Sequence, residues 1–378
     1  MTAYAQTTRE CQDNQDLGGL IDLAADGLGQ MFDFEKGVFC FRLKQTENGL
    51  VREGTSIRYT IISLLGLHRL QASGGQSPVD VHATLEKLLM SDGQITNAGD
   101  FGLLLWLCAQ VSPNLLQQTC RKWDLENALR RYSDARQRRT MELAWLLAGL
   151  AHAKLAGATD GKSSDIAFDV YRLIKVNQGK SGLFGHLDKK ASLSGMLRSR
   201  IGSFADQVYP IYAFSKFARA YDVPEAQELA LKCAEGISKA QGPLGQWWWH
   251  YDSHTGEVRG HYPVYSVHQH GMGPMALLAI SEASGANFSA AIGRGLGWIS
   301  GNNEIGFDFR SPQAKVVWRC LYSNTHSSTF DAIKSFFRRP DISDSANDLT
   351  VKFECWPYEL GWLLYALAGA DQSDLGLR

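Results

Sequence analysis

Twelve stretches of the chain repeat with a helical period, and they alternate between two kinds. Residues 17–33, 78–90, 114–134, 163–178, 224–240 and 287–300 each keep polar side chains along one face. Such a stripe predicts a helix covered on one side and wet on the other. Pro78 and Pro224 stand where a first helical turn begins, and Asn287 where a cap belongs. Residues 56–70, 99–111, 141–157, 203–222, 267–285 and 355–369 are apolar on nearly every side. A helix apolar all round is buried by its neighbours. Gly, Ala and Ser recur within these segments and allow close approach of backbones.

Alternation of six wet and six buried helices predicts six helical hairpins. Closing them into a double ring, with the buried helices inside, covers every apolar face. A flat row leaves its end helices bare. The expected fold class is therefore all-α, an (α/α)6 toroid, with an irregular repeat of about 55–60 residues. The whole chain, 1–378, reads as a single domain with a long loop insertion at about 301–354. Within that insertion a small helix is expected at 327–338 and an extended segment, "VWRCLYSN", at 317–324.

Links from a wet helix to the next buried one are long. They open on Gly followed by aromatic or apolar residues: "GVFCF" at 37, "GLFGHL" at 182, "GQWWWHY" at 245 and "GFDF" at 306. The return links are shorter and polar. Elaborate loops on one face place function on that face. Hairpin count and Gly-aromatic links together resemble the six-hairpin and (α/α)-toroid superfamily over residues 17–369. That superfamily includes glycoside hydrolases, polysaccharide lyases, sugar epimerases, terpenoid cyclases and prenyltransferase beta subunits. The resemblance is architectural and carries no residue role with it. The D-x-D-D cluster of hopene-type cyclases and the Cys-His-Gly ligands of lanthionine-forming cyclases are absent. "GQWWW" only loosely resembles the cyclases' Gln-Trp repeats, and no local signature of the prenyltransferase zinc site is present.

Charge is balanced, with 38 Lys and Arg against 39 Asp and Glu. Neither nucleic acid nor an anionic membrane is an expected partner. No apolar run approaches the roughly 20 residues of a membrane helix. The first residues carry no basic and apolar secretory pattern. Seven scattered cysteines without a CxxC pair indicate neither a disulfide framework nor a zinc ribbon. A reduced, cytoplasmic protein is expected, without cofactor or metal: no P-loop, strand-linked G-x-G-x-x-G or H-E-x-x-H occurs.

In a toroid the starts of the inner helices converge on one mouth, with backbone N–H groups facing it. The carboxylates at those starts, Asp100, Glu142, Asp206, Glu354 and Glu359, are the candidates for an acid/base pair, with His268 assisting. Arg58, Tyr59, Gln207, Trp248, His250, Tyr262, Tyr265, His270, Arg319 and Trp356 are candidate binding residues. Indoles stack on pyranose faces, and amides, phenols and guanidinium groups hold hydroxyls. The expected partner is a carbohydrate or small-molecule substrate, and a glycoside hydrolase is the favoured reading. A uronate lyase or sugar epimerase is the alternative, with a Tyr or His base and Arg58 or Arg319 on the substrate carboxylate. A terpenoid or prenyl-type cyclase and a non-catalytic glycan-binding or scaffold protein remain as further readings. Three of the carboxylates also have a structural use: Glu142 and Glu359 as buried partners of Arg58 or Arg139, Asp100 as a helix cap. His268 and His270 diverge by roughly 200° on a helix, which opposes a shared metal.

Overall fold

The computed structural model describes residues 16–90, 95, 97–116, 118–119, 139–158, 161–187, 199–324 and 348–377. Among them are eleven α-helices. Six form an inner ring: α2 (Ile57–Ala72), α4 (Ala98–Val111), α5 (Thr140–Leu155), α7 (Ala205–Tyr221), α9 (Gly273–Ser284) and α11 (Pro357–Leu367). Each packs on the next in that order, and α11 closes on α2. Outside stand α1 (Asp16–Met31), α3 (Val81–Met90), α6 (Gly161–Lys175), α8 (Pro224–Lys239) and α10 (Ser289–Ile299). The helix expected over 114–134 lies largely, and that over 327–338 wholly, outside the described residues.

The ring is tight because glycines face backbone. A Cβ on Gly149 of α5 would lie 2.1 Å from the Gly102 carbonyl oxygen of α4, and one on Gly66 of α2 2.2 Å from that of Gly361 in α11. Gly149→Ala is expected to cost about 1–3 kcal/mol through overpacking, read as a lowered urea midpoint. An unchanged midpoint would show that the α4–α5 contact can spread.

Pro78 does not open α3. The helix begins at Val81, and Asp80 supplies the cap by accepting from the Ala83 N–H at 2.9 Å. The all-α expectation also needs correction, because five small antiparallel sheets accompany the helices among the described residues. Their strands stitch consecutive wet-to-buried links into a collar at the inner-helix starts. In the first link, the strand Arg42–Thr46 pairs with Gly49–Glu53 and with Glu354–Cys355 of the sixth link. In the fifth link, Val264–Tyr265 pairs with Cys320–Ser323 of the sixth, with Tyr265 opposite Cys320. The strand Ile201–Ser203 of the fourth link pairs with His250–Asp252 of the fifth, and an isolated bridge joins Arg139 to Leu187. The extended segment expected at 317–324 is present as the strand Cys320–Ser323; the other strands, of two to five residues, leave no period to detect in the sequence.

The Gly of each link has a conformational reason. Gly37, Gly182, Gly245 and Gly306 have φ of 70°, 90°, 96° and 64°, a region that side chains disfavour. Each then drops an aromatic ring into the core: Phe39, Phe184, Trp247 and Phe309 are fully buried. In three links a polar side chain at the start of the next inner helix holds that ring's backbone N–H. Thr60 Oγ1 accepts from Phe39 at 2.9 Å, Gln207 Oε1 from Phe184 at 2.7 Å and Gln269 Oε1 from Trp247 at 3.2 Å.

Candidate active site

The inner-helix starts bring part of the expected set together. Ser56 caps α2 and presents Arg58 and Tyr59 in its first turn. Asn97 caps α4 and also donates from Nδ2 to Asp100 at 2.8 Å, so Asp100 is held by the cap and is not itself the cap. Arg58 grips both oxygens of Asp100, at 2.5 Å and 3.1 Å, and lies over the Trp145 indole at 5.2 Å. The Gly99 Cα approaches so near that a Cβ there would meet the Glu142 Cα at 3.2 Å. Glu142 accepts from Arg139 at 3.2 Å and lies within electrostatic reach of Arg58. Asp100 and Glu142, at 16 % and 15 % side-chain exposure, thus sit on adjacent helix starts with Arg58 beside both.

Beside Arg58, where α2 meets α11, stands an aromatic wall. Tyr59 packs on Tyr358 at 4.8 Å and on Trp356 at 5.6 Å, and half-exposed Phe41 packs on Trp356 at 4.7 Å. Burial raises the Tyr59 phenol to about 12, so it is a hydrogen-bond donor at neutral pH. Between the wall and Trp145 lies Tyr209, whose ring is 5.1 Å from Trp145 and 5.9 Å from Trp362. On the third side Trp249 packs on Tyr265 at 5.0 Å, and Tyr265 on His268 at 5.2 Å.

Other expected residues take different places. Asp206 is fully buried and accepts from the Ser203 N–H and hydroxyl at 2.8 Å each and meets His186 Nδ1 at 2.9 Å. Burial pushes its carboxyl up, but His186 and Ser203 outweigh that and hold it below the usual range. The group presented to solvent is His186, with 40 % of its side chain exposed. Gln207 is occupied by both backbone groups of Phe184. Glu354 is buried against Arg42 at 3.0 Å and the Trp356 Nε1–H at 3.2 Å. Glu359 is buried against Arg319 and accepts from the Trp356 N–H at 2.9 Å. Burial raises its pKa, with Arg319 opposing.

Trp248 meets His261 at 4.4 Å, and Tyr262 donates to Glu304 at 3.2 Å. That group sits beside α10, where Trp298 also donates to Glu304 at 2.8 Å. His250 borders Trp249 at 5.0 Å. His268 and His270 occupy a π-helical turn, His268–Met272, that leads into α9. Both are buried, and burial pushes each down to about 3. No group of three or more His, Cys, Asp or Glu among the described residues is placed to hold a metal ion. The reading from sequence missed His186, Trp145 and Phe41. The "GLFGHL" link pointed to His186, since it repeats the Gly-x-aromatic spacing of "GQWWWH".

A cavity of about 590 Å³ lies at the other end of the ring, between the last turns of α2, α7, α9 and α11. Its Lys216 pairs with Glu282 at 2.9 Å, and Arg69 donates to the Ala368 carbonyl at 3.2 Å. Cations at helix C-termini are stabilising by themselves. The paired carboxylates are at the opposite mouth.

No protein-family model matches the chain, and no curated protein matches its sequence. Solved structures do match in shape. A possible member of the GH105 family from Salmonella enterica superposes with a TM-score of 0.62 at 13 % identity, over 94 % of this chain and 93 % of that one. An unsaturated glucuronyl hydrolase from Bacillus sp. GL1, responsible for the degradation of glycosaminoglycan, gives 0.59 at 12 %, over 96 % and 98 %. A sugar epimerase from a ruminal bacterium gives 0.59 at 12 %, over 96 % and 99 %. The fold is an (α/α)6 toroid. At such identities the likeness speaks for the fold, and the chemistry has to be argued from the mouth.

Proposed function

We propose that the chain is a carbohydrate-active enzyme that cleaves a glycosidic bond by acid/base chemistry at the collared mouth. The observation that carries this is the pair Asp100 and Glu142, part-exposed on adjacent inner-helix starts, with Arg58 beside both and aromatic rings around them. Both oxygens of Asp100 already accept from Arg58, which suits it to the role of fixed carboxylate. Glu142 is assigned the proton transfer to the leaving oxygen. Rings of Tyr59, Phe41 and Trp356 give the apolar faces of a pyranose a surface to stack on. The toroid neighbours, two described as glycan hydrolases or possible members of such a family and one as a sugar epimerase, support the class.

One observation favours a second reading. His186, oriented by the buried Asp206, has the form of a general base, and with Arg58 on a substrate carboxylate it suits uronate elimination or epimerisation. The charged mouth is ill suited to the dry pocket of a terpenoid cyclase. We place the protein, as one domain, in the cytoplasm, a reading supported by five buried thiols with no disulfide among the described residues. No described helix is long and apolar enough to cross a membrane.

The test is turnover of an oligosaccharide panel that includes unsaturated glucuronyl disaccharides. Hydrolysis gives new reducing ends and, on the unsaturated sugars, loss of the ultraviolet absorbance of the ring double bond. Elimination creates that absorbance, and epimerisation changes neither signal but alters the sugar's NMR couplings. Absence of all three changes across the panel would leave the chain a binder and sink the enzyme reading.

A further inference from the structure

Arg319 stands where the fifth and sixth links meet. Its main chain is fixed on both sides: its carbonyl accepts from the Ser266 N–H at 2.9 Å and hydroxyl at 2.8 Å, and its N–H donates to the Lys352 carbonyl at 3.3 Å. Its side chain is nearly buried, at 9 % exposure, so it is not available to grip a ligand directly. The guanidinium lies over the ring of Trp356 instead. Its Cζ is 3.5 Å from the centroid of the Trp356 indole and 5.0 Å from that of Tyr265. Nη1 donates to Glu359, and the other oxygen of Glu359 accepts from the Trp356 backbone N–H. The indole edge is tied separately, through Nε1, to Glu354.

Trp356 is therefore fastened at its ring face, its N–H edge and its backbone, and Phe41 and Tyr59 pack against it. A buried ion pair is a costly way to fill that space, since apolar side chains of similar volume usually serve stability as well or better. What apolar residues do not supply is a fixed ring orientation. A planar guanidinium stacks on an indole and reaches a carboxylate at the same time, and lysine does not.

We propose that Arg319 is a positioning residue: paired with Glu359, it holds the Trp356 indole, and through it Phe41 and Tyr59, in the orientation that stacks a sugar ring at the mouth. This rests on reading the mouth as a glycan site. Arg319 makes no contact with the reacting atoms; it sets how well the sugar is held before they meet.

The experiment uses the full chain carrying 5-fluorotryptophan. Its ten tryptophans give ten fluorine signals, and Trp356→Phe assigns one of them. Arg319→Met alone leaves Glu359 buried without its partner and risks misfolding, so the informative variant is Arg319→Met with Glu359→Gln. In it the Trp356 signal is expected to broaden or split while the other nine stay in place. With an unsaturated glucuronyl disaccharide as probe, KM is expected to rise roughly tenfold with kcat nearly unchanged, the signature of lost ground-state binding. Arg319→Lys is expected to keep the thermal midpoint but not the KM. A double variant with an unmoved Trp356 signal overturns the proposal, whether or not the probe is turned over. A moved signal with no turnover of the probe by the parent protein leaves the positioning role standing and counts against the substrate choice alone.

Discussion

On acidification from pH 8 the protein is expected to lose its helical circular dichroism cooperatively near pH 4. The cause is three imidazoles. His152, His268 and His270 are each pushed by burial from 6.5 down to about 3. A folded-state pKa below the unfolded one means that the unfolded chain binds the proton first. Each contribution to stability is thus complete above pH 6.5 and drains away as pH falls toward 3, at about 1.4 kcal/mol per pH unit. Three in parallel remove about 4 kcal/mol per unit, against a total stability of about 5–15 kcal/mol. Two to three units below 6.5 are enough. Glu359 works the other way, because its raised pKa lets the folded chain take up a proton before the unfolded one does. One such group offsets only part of the slope. Asp206, held below the usual range, adds to the acid loss lower down. His270 is the informative position, as neither ring nitrogen has a partner among the described residues. His270→Leu removes one proton-binding site from the unfolded chain and should move the acid midpoint down by about one unit, on the same slope arithmetic. A native helical signal persisting to pH 3 would show that these imidazoles are not held neutral.

How much of this was visible in the sequence depends on length scale. Period and apolarity placed α2, α4, α5, α7 and α11 to within two residues at their starts, because fourteen or so residues of one face buried all round leave an unmistakable pattern. Of the collar only the extended segment at 317–324 was legible, and it holds the strand Cys320–Ser323; the pairings were not, because Glu354 opposite Lys44 and Tyr265 opposite Cys320 join strands of two to five residues across hundreds or tens of positions. For the same reason the carboxylates were legible as a set and not by role. That Asp206 turns inward to orient His186 follows from the strand Ile201–Ser203 pairing with His250–Asp252, and no local feature near Asp206 tells it from Asp100. The aromatic stretch at 245–271 divides likewise. Trp247 goes to the core because Gly245 turns it inward and Gln269 holds its backbone, whereas Trp249, two residues on, reaches Tyr265 and His268. Trp248, on the alternate side of the extended link, points away toward His261.

The paired-carboxylate mechanism predicts the largest loss of all. Asp100→Asn and Glu142→Gln keep the shape of each side chain and remove its capacity to carry or release a proton. If Glu142 delivers the proton, its amide should lower kcat roughly 10²–10⁴-fold, the usual worth of a positioned acid or base. KM should move little, since the amide still fills the site. Asp100→Asn should cost as much in kcat and something in stability too, because Arg58 would lose a charged partner that it contacts through two nitrogens. His186→Gln separates the two readings of the mouth. Under hydrolysis by the carboxylate pair it weakens binding and leaves most of kcat. Under elimination or epimerisation it becomes the most damaging of the three, and the amides of Asp100 and Glu142 retain activity. The pH profile discriminates again: loss of a histidine base removes a limb near neutrality, which the carboxylate reading does not require. Full activity in both amide variants, measured on a substrate the parent protein turns over, would end the carboxylate mechanism and leave His186 with Asp206 as the catalytic pair.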